Sequence, residues 1–142
     1  MVKEVLNKCV VSEDDQAHIQ SIIATMSFKG AGVSDEMDTI EGKVVQDADR
    51  LDALGAIGVG RVFSYGGFAN RPMHDPDENA LLHGTKEEYQ SRSGTTINYF
   101  YEKLLLLTDR MKTTTGRKVA EERTKFMQDF LAQFYAEWDG KK

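Results

Sequence analysis

The strongest constraint on how this chain folds is the spacing of apolar side chains towards its C-terminal end. Val119, Phe126, Met127, Phe130, Leu131, Phe134 and Tyr135 recur at i, i+3, i+4 and i+7 intervals, the pattern of one buried face of an α-helix. It predicts a helix from Thr114 to about Trp138, with Gly140 as its stop. Ile97, Phe100, Tyr101, Leu104, Leu105 and Leu107 predict another, from Thr95 to about Met111. No stretch alternates strictly between apolar and polar residues, so no strand is expected. The fold class that follows is all-α, a helical bundle.

Earlier segments fit the same class. Ser12-Glu-Asp-Asp reads as a helix start, because the hydroxyl caps and the acids suit the positive N-terminal end. Ile19, Ile22, Ile23 and Met26 follow at helical spacing, and the glycines around Lys29-Gly-Ala-Gly end that helix near Ser27. A further helix is expected from about Glu41, carrying Val44, Val45, Ala48, Leu51 and Leu54. It continues or restarts through the glycine-rich residues 55–67, where small side chains admit a passing helix. Residues 68–94 hold both prolines, Pro72 and Pro76, with Asn70, Asp75, Asp77, Gly84, Ser91, Ser93 and Gly94, and read as a long irregular loop. At 142 residues the chain fits a single domain, 1–142.

Charge and cysteine content narrow the function. The net charge is −5, from 23 acidic and 18 basic residues, which argues against a general nucleic-acid binder and leaves a small phosphorylated ligand open. One cysteine, Cys9, precludes an intrachain disulfide and points to a reducing, cytoplasmic setting. Nothing approaches the run of ~18 apolar residues that spans a membrane.

Three acids, Asp47, Asp49 and Asp52, interrupt the apolar helix that begins near Glu41. A carboxylate bordering a core costs free energy unless it is paired, and a metal is one such partner. By helical spacing Asp49 borders the Val45–Ala48 stripe and Asp47 points outward. The same acids also read as a solvated helix face, with Asp52 pairing with Arg50 or Lys43.

Gln46-Asp-Ala-Asp-Arg-Leu-Asp-Ala-Leu-Gly-Ala-Ile-Gly resembles the last motif of the HD-domain metal-dependent phosphohydrolases. Ser27-Phe-Lys-Gly, Gly66-Gly-Phe-Ala-Asn-Arg-Pro, Ile97-Asn-Tyr-Phe-Tyr-Glu-Lys-Leu-Leu-Leu-Leu and the segment from Ala120 to Trp138 resemble one bacterial branch of that superfamily. The resemblance covers most of residues 12–140. It implies an all-helical domain with four metal ligands: a His, a His-Asp pair and a later Asp, which matches Asp49. The implied cofactor is a divalent metal, Mn or Mg, and the implied reaction is hydrolysis of a phosphate ester or anhydride, with a nucleotide or deoxynucleotide triphosphate as substrate. Lys29, in a glycine-flanked turn, and Arg50, beside Asp49, are candidate phosphate contacts, and the loop around Arg71 is a candidate cover.

The chain departs from that pattern before residue 12. The first His and the His-Asp pair belong there, and no histidine is present. His74-Asp75 spells the dipeptide but falls after Asp49, beside two prolines, and is read as a coincidence. His18 is read as a helix-surface histidine and His83 as a loop residue. The expectation is therefore the C-terminal part of an HD-type domain, with one of four ligands. The rival reading is an inactive fragment or an oligomerisation module, whose stripped helices expose apolar surface and self-associate.

Overall fold

A computed structural model describes residues 2–91 and 94–142; Ser93, assigned above to the loop, lies outside them. Among the described residues the elements are α1 (Val2–Leu6), α2 (Glu13–Thr25), α3 (Ile40–Asp52), α4 (Gly55–Phe68), α5 (Lys86–Ser91), α6 (Thr96–Glu102), two 3-10 turns (Leu104–Leu106 and Thr108–Arg110) and α7 (Thr114–Trp138). The all-α expectation holds.

Hydroxyl caps set four helix starts. Ser12, Thr39, Thr95 and Thr113 each accept a hydrogen bond from the backbone N–H three residues on, at 3.0–3.2 Å. Each satisfies one of the donors that a helix start leaves free. At the other end of α7, Gly140 takes φ +68° and its N–H donates to Glu137, so the predicted stop is a left-handed glycine cap.

The core forms where α4, α6 and the 3-10 turns meet α7. Leu54, Ile97, Phe100, Leu104, Leu107, Ala120, Met127 and Leu131 are its most buried apolar residues, and the Phe63, Phe100 and Phe130 rings pack about one another. Where α4 passes α6, a Cβ at Gly66 would overlap the Thr96 hydroxyl. The small residues of α4 thus serve the close helix approach expected of them.

Two expectations fail. The helix from Thr95 to Met111 is not continuous: α6 ends at Glu102 and two 3-10 turns follow. The tighter winding aligns residues three apart, which buries both Leu104 and Leu107, and the Arg110 carbonyl at the end of the second turn accepts from Arg50. The irregular region 68–94 also contains α5, whose start is drawn together by Thr85 and Glu88: the Thr85 hydroxyl accepts from the Glu88 N–H, and the Glu88 carboxylate accepts from Thr85 and Gly84.

The largest surprise is the orientation of α3. Its buried residues are Gly42, Gln46, Asp47 and Arg50, a polar set. Leu51 packs against the core, but Val44 at 54% exposure and Val45 at 41% face solvent, as does Ala48. Asp47, expected to point outward, is 3% exposed. Its carboxylate accepts from the Lys112 N–H, the Thr113 N–H and the Thr113 hydroxyl, each at 2.8 Å. The Thr113 hydroxyl in turn caps α7, so one carboxylate ties α3 to the first turn of α7. Gly116 stands where it does because a Cβ there would come within 2.5 Å of the Asp47 carboxylate.

Removing this tie leaves two backbone donors buried and unsatisfied. Asp47→Ala is expected to lower stability by about 3 kcal/mol, whereas Asp49→Ala, on the open face, changes it by no more than about 0.5 kcal/mol. Urea denaturation of both variants checks this; equal losses would contradict the assigned orientation of α3.

Candidate functional site

The orientation of α3 follows from two inward anchors one turn apart, Asp47 and Arg50. Successive helical residues are about 100° apart around the axis. Asp49 is therefore about 200° from Asp47 and about 100° from Arg50, which turns it to the outer surface, where it is exposed. Val45 lies one turn before it, so Asp49 closes the solvent-facing stripe of Val44, Val45 and Ala48.

Arg50 is 2% exposed. Its guanidinium donates to the Asp35 carboxylate and to the Arg110 carbonyl. Asp35 also receives Arg110 at 3.3 Å and Lys112 at 3.2 Å. Burial pushes the Asp35 carboxyl up, but the charges of Arg50, Lys112 and Arg110 outweigh it and hold its pKa below 3.8. The segment between α2 and α3 is fixed on this hub. Arg110 donates to the Ala31 and Val33 carbonyls, and Gln46 donates to the Met26 and Asp35 carbonyls. Arg50 thus has the contacts of a structural ion pair. Asp52 pairs with Arg61 of α4, and not with Arg50 or Lys43, because Arg61 reaches back across the turn between α3 and α4.

An open cleft of about 780 Å³ lies alongside. Its walls are Ala53, much of α4 from Gly58 to Phe68, Tyr99 of α6, Lys103 and Leu104. Ala53 is one helical turn beyond Asp49, so the exposed carboxylate and the cleft are neighbours along α3. Tyr65 lines the cleft, and the Arg71 guanidinium sits 5.6 Å from its ring centroid, at the edge of the cleft. Lys29, half-buried, follows Phe28, whose ring carries the Lys103 ammonium at 5.7 Å and the Arg110 guanidinium at 4.9 Å.

The histidines stand apart. His74 lies in a loop, its ring against Phe134, Tyr135 and Trp138 of α7, while Asp75 accepts from the Asp77 N–H. His18 on α2 is 3.9 Å from Glu41, and His83 is 3.7 Å from the buried Glu102. Among the described residues no group of three or more His, Cys, Asp and Glu side chains is placed to hold a metal ion.

Sequence reasoning missed Asp35 and Lys103. Asp35 sits in an unpatterned loop and has no signal of its own. Lys103 had one: Glu102 and Lys103 are two charges inside an otherwise apolar helical run.

No protein-family model matches the chain. Its sequence is 38% identical over 136 residues to YpgQ of Bacillus subtilis, covering 93% of the chain. A crystal structure from Lactobacillus plantarum superposes with a TM-score of 0.86 at 44% identity, over 95% of the chain. An HD-superfamily hydrolase from Bacillus thuringiensis gives 0.68 at 41% identity, over 96%. The fold is of the HD type. B. subtilis YpgQ in complex with ADP gives 0.70 at 36% identity, again over 96% of the chain. The chain spans only part of each relative: 58% of the YpgQ sequence, 64% of the L. plantarum structure, 60% of the B. thuringiensis structure and 63% of the YpgQ–ADP structure.

The Asp35 hub carries a pH signature. A carboxylate with a depressed folded-state pKa contributes stability above its unfolded value, and that contribution is lost as pH falls through the folded value. Asp35→Asn, which leaves Arg50 buried and unpaired, is expected to cost about 3 kcal/mol at pH 7. The gap from wild type should shrink as pH drops below about 4. Urea denaturation as a function of pH measures it; a gap that stays constant into acid would contradict the assignment.

Proposed function

We propose that this chain is part of an HD-superfamily phosphohydrolase that acts on a phosphate ester or anhydride of a nucleotide, and that Asp49 is one ligand of its divalent metal, Mn or Mg. The observation that carries this reading is the placement of Asp49. In an HD-type fold 41% identical to an HD-superfamily hydrolase, the aspartate of the Ala-Asp-Arg-Leu segment projects to the open surface, one turn from a cleft. The complex of YpgQ with ADP supports a nucleotide as the substrate class.

The residues of this chain do not complete the metal site. A divalent ion of this kind needs several protein ligands, and around Asp49 the described residues supply no cluster. The remaining ligands are assigned to polypeptide beyond the aligned span, which the relatives possess. The solvent-facing stripe of α3, with Val44 and Val45, is apolar surface suited to receive it. Of the sequence-derived phosphate contacts, Lys29 and Arg71 remain in the reading, whereas Arg50 is committed to Asp35. No described helix is long and apolar enough to cross a membrane, and the single cysteine suits a cytoplasmic setting.

The second reading is a helical module that self-associates through the same apolar stripe without catalysis. It is favoured by the exposed Val44 and Val45 of α3 and by the incomplete ligand set among the described residues.

Nucleoside triphosphate hydrolysis with Mn or Mg, assayed on the chain co-expressed with the portion of B. subtilis YpgQ outside the aligned span and on the same complex carrying Asp49→Ala, tests the assignment. Any metal-dependent turnover should fall at least about a hundredfold in the variant. Turnover that survives Asp49→Ala removes Asp49 from the site. Absence of turnover in that complex, with a concentration-dependent dimer of the chain alone in sedimentation, favours the second reading.

A further inference from the structure

The cleft beside Asp49 contains a cation that none of the structural ion pairs consumes. Lys103 follows α6 directly and is half-buried, with its ammonium 5.7 Å from the Phe28 ring centroid and 5.5 Å from that of Tyr99. It shares hydrogen bonds with the side chains of Tyr99 and Tyr89, and no described carboxylate forms an ion pair with it. This contrasts with Arg50, Arg110 and Lys112, which converge on Asp35. A half-buried ammonium with no carboxylate partner leaves its charge available to an anionic ligand. Burial opposes its charge, yet the tyrosines outweigh burial and keep the amine protonated.

The rest of the cleft suits an anion with an attached aromatic group. Arg61 lines the same space and is held only by the exposed Asp52, a pairing that costs little to loosen. Tyr65 and Phe68, ring centroids 6.3 Å apart, offer exposed aromatic faces on the same wall. A volume of about 780 Å³ lies within the range of small-molecule sites.

From this arrangement we infer that the cleft between α4 and α6 binds the phosphates of a nucleoside di- or triphosphate, with Lys103 as the principal phosphate contact and Arg61 as the second. The inference deepens the proposed function by naming the residues that would grip the substrate, but the binding itself requires neither metal nor turnover. Neither residue was among the candidates drawn from sequence.

Calorimetric titration of the intact chain with ADP and with inorganic pyrophosphate, in chelator and at low salt, tests it. Both should bind, and more weakly as salt rises. Lys103→Met should weaken binding at least tenfold, Lys103→Arg should retain it to within about threefold, and circular dichroism should show both variants folded. On the wild type, pyrophosphate should protect Lys103 from an amine-acylating reagent, read by peptide mass spectrometry, while leaving exposed Lys118 unprotected. The acylation measurement stands even if Lys103→Met does not fold. Failure of both ligands to bind, binding indifferent to Lys103→Met, or equal acylation of Lys103 with and without pyrophosphate would each overturn the inference. Binding through Lys103 without any metal-dependent turnover when the chain is joined by the portion of B. subtilis YpgQ outside the aligned span counts against the hydrolase reading alone. Turnover lost in Asp49→Ala, with nucleotide binding independent of Lys103, counts against the pocket alone.

Discussion

The buried pairing of Arg50 with Asp35 is the interaction on which the arrangement of this protein depends. A guanidinium taken out of water is tolerated only with a carboxylate and further hydrogen bonds to satisfy it. Here the carboxylate comes from the segment between α2 and α3, and the additional acceptor is the Arg110 carbonyl, at the end of the second 3-10 turn. One pair thus joins three stretches of chain that share little apolar contact. Asp47, one turn earlier, adds a second polar anchor to the start of α7. Such anchors contribute less to stability than apolar packing would, but they fix register and rotation, and in the proposed account that rotation turns Asp49 to the open surface.

The consequence is a helix that uses both faces. Its polar side is turned inward onto α7 and the Asp35 hub, while Val44, Val45, Ala48 and Asp49 look out. An apolar stripe in water is an unusual end state for a helix of a finished domain. Matched relatives that are half as long again or more give that stripe a natural use. In the proposed account it is the seam between this part of the fold and the part that brings the other metal ligands, with Asp49 at the edge of the seam and the cleft one turn beyond.

How much of this was legible in the sequence depended on the kind of interaction involved. Helices built on apolar periodicity and hydroxyl caps, such as α2 and α7, fell close to their predicted bounds, because local propensity and burial pointed the same way. The orientation of α3 was misread for a physical reason: periodicity assigns the apolar stripe to the core, and here the core-facing side is polar. Asp47 therefore looked exposed, although it is 3% exposed, and Asp35 was invisible, because a long-range pairing leaves no mark in local spacing. Lys103 was legible in principle as a charge within a leucine run, but its meaning emerged only when the fold set it beside Tyr99 and an open cleft.

The most direct test of the account is metal binding by complementation. The chain would be co-expressed with the portion of B. subtilis YpgQ that lies outside the aligned span, and Mn binding to the purified complex would be measured by calorimetry beside the chain alone. The account predicts that the chain alone binds Mn weakly, that the complex binds it stoichiometrically, and that Asp49→Ala abolishes the gain without dissociating the complex. Tight binding by the chain alone, or by a complex indifferent to Asp49→Ala, would contradict it.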